Sequence, residues 1–322
     1  MSRRSYLLIS SLAFVAAAAT GCGGSSPETV DAPPPDAVAS TPDGAQPDGP
    51  TGLQTVFGGV RPATLTVPST YDPSRPTPLV IALHGYYTDP DYILPIFKLT
   101  RLAEAKGVLF IAPDGLANPT GNHYWNATDA CCDLYDAGTD DVGYLTGLVA
   151  EIQGVYNVDP KRIYLLGHSN GAFMSLRLAC EHADLFAAVI SIAGANDFDP
   201  AHCVPSQPVS ILQIHGDADM TIRYAGGSTT KHDGRMVQYP SATATVDLWA
   251  QRDGCAAATE SDAALDLESV TPGDETQRLR HTGCPEGVGA ELWTMVGVGH
   301  LPLVTDQAPD LWWSWLDSHA RR

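Results

Sequence analysis

Arg162-Ile163-Tyr164-Leu165-Leu166 runs straight into Gly167-His168-Ser169-Asn170-Gly171, and Ala172-Phe173-Met174-Ser175-Leu176 follows at once. An apolar strand, a five-residue turn bounded by glycines and the opening of a helix form the setting in which a sharp elbow lifts a serine hydroxyl above a sheet. Such a turn holds the serine in a strained backbone conformation. Gly167 and Gly171 are needed because a Cβ at either position would collide with the neighbouring strand or helix. The helix that begins at Asn170 points its positive end at any oxyanion formed beside the serine. Ser169 is therefore the candidate nucleophile, against the alternative of a tight turn with an idle serine. His168, inside the elbow, reads as a packed loop residue.

Outward from the elbow, apolar β-rich runs alternate with longer helical patterns, which predicts a mostly parallel sheet covered by helices on both faces. The expected strands are 63–67, 79–83, 108–112, 162–166, 188–192, 210–214 and 291–296; the expected helices are 93–106, 143–156, 171–182, 242–252 and 309–319. Asp140 or Asp141 is the expected N-cap of the second helix. No internal repeat is visible, so residues 52–322 read as one catalytic domain.

The strand Ser210–Ile214 ends in His215-Gly216-Asp217-Ala218-Asp219. Asp219, further out in the loop, is preferred over Asp217 as the acid that reaches a histidine from another loop; Asp217 reads as a turn cap, and His215 as a bridge between loops. His300 follows the last strand and Gly297-Val298-Gly299. The chain order Ser169, Asp219, His300 is that of an α/β-hydrolase triad. The oxyanion donors expected are the backbone N–H groups of Asn170 and of Tyr86, which follows Leu83-His84-Gly85. Each such donor is worth about 3–4 kcal/mol in the transition state.

The ends of the chain say where it works. Residues 1–21 read as an export signal: Arg3 and Arg4, an apolar run from Tyr6 to Ala19, then Ala19-Thr20-Gly21-Cys22, a lipobox-like site at which Cys22 would carry lipid. Residues 22–51 hold Pro33, Pro34, Pro35, Pro42, Pro47 and Pro50 with Glu28, Asp31, Asp36, Asp43 and Asp48 and no base, a composition that cannot bury enough surface to fold and reads as an extended linker. With 18 Lys and Arg against 37 Asp and Glu, a formal charge of −19, no nucleic-acid partner is expected, because phosphate would be repelled. Seven cysteines are present. Setting Cys22 aside leaves Cys131, Cys132, Cys180, Cys203, Cys255 and Cys284, an even set that in an exported chain implies disulfides. None has zinc-ligand spacing, so no metal and no other cofactor is expected. Contact with a membrane is expected only through the lipid, and the protein is expected to act as a monomer in the cell envelope or outside the cell.

Further segments carry a resemblance: Ala112-Pro113-Asp114-Gly115, Tyr124-Trp125-Asn126 with Cys131-Cys132, Asp140-Asp141-Val142-Gly143-Tyr144, Asp159-Pro160-Lys161-Arg162-Ile163-Tyr164, Leu178-Ala179-Cys180-Glu181 and Gly299-His300. Together with the elbow, in order over residues 60–320, the chain resembles the secreted esterase family that contains polyhydroxybutyrate depolymerases, feruloyl esterases and acetylxylan esterases. The resemblance implies an α/β-hydrolase fold and the acid at Asp219. It also implies a Cys255–Cys284 bridge, with Cys131 and Cys132 pairing outward to Cys180 and Cys203. Where that family has Trp-Pro-Gly after the histidine, this chain has Leu301-Pro302-Leu303. The expected function is that of a serine carboxylesterase on a polymeric or oligomeric ester. Plant polysaccharide of the feruloyl or acetyl xylan type comes first, and a polyhydroxyalkanoate second. A serine peptidase of the same fold would need a further domain that this length does not hold. A non-catalytic surface lipoprotein is the alternative from another class.

Overall fold

The computed structural model describes residues 52–322; the expected signal peptide, Cys22 and the linker lie outside them. In chain order the strands are β1 (Val56–Phe57), β2 (Ala63–Thr66), β3 (Thr77–Leu83), β4 (Leu109–Ile111), β5 (Leu116–Ala117), β6 (His123–Tyr124), β7 (Val158–His168), β8 (Ala188–Ile192), β9 (Ser210–Gly216), β10 (Gly227–Thr230), β11 (Met236–Tyr239), β12 (Thr259–Leu265), β13 (Thr276–His281) and β14 (Ala290–Met295). The helices are α1 (Pro90–Ile96), α2 (Leu102–Lys106), α3 (Asp141–Val155), α4 (Asn170–Glu181), α5 (Ala242–Arg252) and α6 (Ala308–Ser318).

One sheet runs β1-β2-β4-β3-β7-β8-β9-β14-β13-β12. Its centre, β4 to β14, is parallel, and both edges are antiparallel. β3, β8 and β9 are buried along their whole length, as strands covered on both faces must be, and this is why they read as unbroken apolar runs rather than alternations. The two faces carry separate cores. One holds Trp125, Phe173 and Trp249; the other holds Phe97, Tyr164, Trp312 and Trp315. Asp140 caps α3, its Oδ1 accepting from the Gly143 N–H at 2.8 Å, and Ser241 caps α5, accepting from the Ala244 N–H at 3.0 Å.

Three expectations are corrected. The helix expected over 93–106 is broken: Lys98 has φ 55°, and a 3-10 turn at Leu99–Arg101 separates α1 from α2. The polar stretch 259–276, where no strand is expected, contains β12, which joins β13 as an antiparallel edge of the sheet. Cys131 and Cys132 do not pair outward. They are bonded to each other, Cys180 is bonded to Cys203, and Cys255 to Cys284 as expected. The reason is local. Thr128 and Cys131 exchange backbone hydrogen bonds at 2.6 and 3.0 Å, which closes the adjacent pair into a turn of its own. The end of α4 meanwhile brings Cys180 to a Cα separation of 5.3 Å from Cys203.

Candidate active site

β7 delivers the elbow at the middle of the sheet. Ser169 has φ 52° and ψ −120° and serves as the N-cap of α4. The two glycines are required by contact: a Cβ on Gly167 would lie 2.2 Å from the Gly171 carbonyl oxygen, and one on Gly171 would lie 2.1 Å from that of Leu83. No rotamer change relieves a clash with backbone, so the tight crossing of β7, β3 and α4 depends on both.

Three loops at the carboxyl ends of β7, β9 and β14 meet above the sheet. Ser169 Oγ lies 2.9 Å from His300 Nε2, and His300 Nδ1 lies 2.7 Å from Asp219 Oδ2. Asp219 is buried. Its Oδ1 accepts from the Thr221 and Ile222 N–H groups at 2.7 and 3.0 Å. His215 Nε2 approaches Oδ2 to 3.3 Å while lying 2.7 Å from the Ile222 carbonyl. The Gln213 amide donates to His215 Nδ1 at 3.1 Å, which leaves Nε2 as the protonated nitrogen. Burial opposes the charge on Asp219, but the hydrogen bonds from His215 and His300, the His300 charge and the Thr221 N–H hold this carboxyl well below the usual range. It is an anion aimed at the Nδ1 edge of the His300 ring.

Asp217 is placed elsewhere. Its Oδ1 accepts from the Gly297 N–H at 2.6 Å, capping the turn that leads to His300. The strand end at Gly85 passes against the nucleophile, since a Cβ there would lie 3.3 Å from Ser169 Cβ. Tyr86 follows it. Asn170 opens α4, and its buried side chain clamps the Trp125 backbone, accepting at 2.7 Å and donating at 2.8 Å. Trp125 in turn donates from its indole to the His84 carbonyl at 3.1 Å. Trp125 thus ties Asn170 to His84, two residues before Tyr86.

Two contributions escape the sequence reading. His168 is more than a packed residue. Its Nε2 lies 3.0 Å from the His300 carbonyl, and its ring sits 5.1 Å from those of Phe97 and of His300. Burial, with the nearby His300, lowers its pKa to about 3. The neutral ring therefore donates to the loop that carries His300. The second contribution is Glu268, whose carboxylate accepts from the N–H groups of Val270, Thr271 and Leu303 at 2.9, 2.6 and 3.2 Å. Ser269 N–H and Leu303 O add a bond of 2.7 Å, so the segment between β12 and β13 fastens the loop just beyond His300. Only the position of His168 beside the serine was visible in the sequence; nothing there pairs Glu268 with Leu303.

This arrangement can pass a proton from Ser169 to His300 while Asp219 steadies the resulting imidazolium, the geometry of nucleophilic acyl transfer. The chain is similar to known esterases. Feruloyl esterase B of Piromyces equi is 28% identical over 243 residues, 74% of this chain and 42% of that protein, so the chain spans less than half of that relative. Feruloyl esterase D of Neurospora crassa is 24% identical over 80% of each chain. The solved structure of an acetyl xylan esterase from Aspergillus awamori covers 84% of this chain and 96% of its own, with TM-score 0.56 and 17% identity, which shows a shared α/β-hydrolase fold. The Esterase family model matches residues 55–271, a span that runs from β1 through the elbow and Asp219 to the segment after β12, and by that match the chain belongs to the Esterase family.

Proposed function

We propose that this protein is an exported serine carboxylesterase that hydrolyses acyl esters of plant polysaccharide, of the feruloyl or acetyl xylan type. The observation that carries the reading is the hydrogen-bonded chain from Ser169 through His300 to Asp219 at 2.9 and 2.7 Å. Ser169 Oγ attacks the ester carbonyl carbon as His300 Nε2 takes its proton. The oxyanion forms against the N–H groups of Asn170 and Tyr86. The tetrahedral adduct collapses, and the alcohol leaves with the proton from His300. Water then attacks the acyl-enzyme by the same route, returning Ser169 and releasing the acid.

The substrate class is supported by the feruloyl esterases among the relatives. Export is supported by the three bonded cysteine pairs, which persist in oxidising compartments. The test is a panel of methyl ferulate, acetylated xylan and short polyhydroxybutyrate, run on wild type and on Ser169→Ala. Wild type should turn over the first or second of these. The variant should lose about 10³-fold or more in kcat with an unchanged fold, because members of such a trio act as one unit. Activity retained without the hydroxyl would sink the mechanism; activity on the polyester alone would sink the substrate class.

A further inference from the structure

The strand order decides which side of the nucleophile each half of an ester faces. β3 lies on one side of β7, and β8, β9 and β14 lie on the other. Under the reading above, on which this inference rests, His300 protonates the departing alcohol, and His300 comes from the β14 side. The alcohol therefore leaves toward β14, away from β3, and the loop after β3 is left to border the acyl side. What stands there is a pair of tyrosines.

Tyr87 has φ 68°, a left-handed conformation that costs free energy for a bulky residue. Its N–H donates to the His123 carbonyl at 3.2 Å, and the Thr88 hydroxyl closes the turn onto the Gly85 carbonyl at 2.9 Å. Burial does not offset the strain, because Tyr87 is 68% exposed. The ring nonetheless has a neighbour. It meets Tyr86 edge to face, with centroids 4.1 Å apart and planes at 77°. Tyr86 is anchored in turn by the Asn118 amide, which donates to its hydroxyl at 2.6 Å. Asn118 is buried, with its Oδ1 accepting from the N–H groups of Thr120 and Asn122 at 2.9 and 3.1 Å. The result is a solvent-facing ring, backed by Tyr86, two residues from Gly85, where a Cβ would crowd Ser169. Strain kept at a site edge by a ring left mostly exposed points to a ligand contact, and a pre-set ring avoids the ordering cost that a mobile one would incur on binding.

We propose that Tyr86 and Tyr87 form the acyl-side platform of this site and that the exposed Tyr87 ring takes a planar aromatic acyl group. The Tyr87 ring then selects for aromatic over small acyl groups without touching the bonds that change. Methyl ferulate and methyl acetate share an alcohol and differ only in the acyl half, so the ratio of their kcat/KM values reads the platform. Tyr87→Ala should lower that ratio about tenfold, mostly through KM, as expected for losing one ring–ring contact, and Tyr87→Trp should keep it within about twofold. Tyr87→Gly should lower the ratio as Ala does while raising Tm, since glycine adopts φ 68° freely.

An unchanged ratio overturns the proposal. So does an equal fall on both esters, which would make the ring a support for the turn. A loss confined to acetylated xylo-oligosaccharide overturns it as well, by placing the ring on the sugar side. Wild type that cleaves methyl acetate but not methyl ferulate removes the platform and leaves the esterase reading standing; wild type that cleaves neither removes both.

Discussion

Asp253 is a carboxyl in a place that does not suit a charge. It follows α5 as its C-cap, where the helix dipole is negative, and it is 2% exposed. Oδ1 accepts one hydrogen bond, from the Val209 N–H at 3.1 Å, and Oδ2 is buried without a partner. Burial, only partly opposed by that single N–H, raises its pKa from 3.8 to about 7. Below about pH 4 both the folded and unfolded chains hold the proton, and the group is neutral in its effect. Between there and pH 7 the unfolded chain ionises and the folded one does not, so the raised pKa removes stability as pH rises. The cost grows by about 1.4 kcal/mol per pH unit and levels off near about 4 kcal/mol above pH 7. Asp253→Asn keeps an oxygen for Val209 and places an NH2 where Oδ2 has no partner, at a pH-independent cost of about 1–3 kcal/mol. Denaturant unfolding of both proteins at pH 5, 6, 7 and 8 separates the two effects. The stability difference should shift in favour of the variant by about 2–3 kcal/mol from pH 5 to pH 7, then stay flat. A difference that does not move with pH would refute the claim that Asp253 resists ionisation in the native state.

Asp219→Asn should reduce kcat by about 10³–10⁴-fold, because the amide would hold His300 in the wrong tautomer. Asp217→Asn, which keeps an oxygen for the Gly297 N–H, should stay within about threefold, and the reverse ranking in steady-state kinetics would show that the carboxylates had been exchanged. His168→Phe removes the donor to the His300 carbonyl and also a ring nitrogen, Nδ1, that is buried without a partner. Its kcat should therefore fall about tenfold, the equivalent of one hydrogen bond, with KM and Tm nearly unchanged; unaltered kcat would return His168 to a packing role.

Most of the sheet was legible because its central strands are covered on both faces. The runs at Ala188–Ile192 and Ser210–Gly216 contain little that could face water, so their apolar length alone announced them. β12 gave no such signal. It is the outermost strand of the sheet, its residues are Thr-Glu-Ser-Asp-Ala-Ala-Leu, and its first three are exposed. A polar, charged edge deters pairing with other chains, and the same chemistry makes an edge strand look like loop. The break between α1 and α2 was hidden for another reason: the apolar pattern continues through Lys98, and only the backbone at φ 55° shows the interruption.

The site divides along the same physical line. Ser169, Asp219 and His300 stood out because each follows an apolar strand and sits in a loop marked by glycine, and local sequence carries that kind of information. What holds them in place is carried by contacts far apart in the chain. His168 reaches the carbonyl of His300, 132 residues away, and Glu268 reaches the N–H of Leu303, 35 residues away. No periodicity encodes either contact. The bridge Cys255–Cys284, 29 residues in span, flanks β12 and β13. The hairpin is thus tethered at its base by the disulfide and pinned at its far end to the His300 loop by Glu268 and Ser269. A variant that loosens this hairpin should therefore show itself in the placement of His300 before it shows in the core, whose clusters lie on the faces of the sheet.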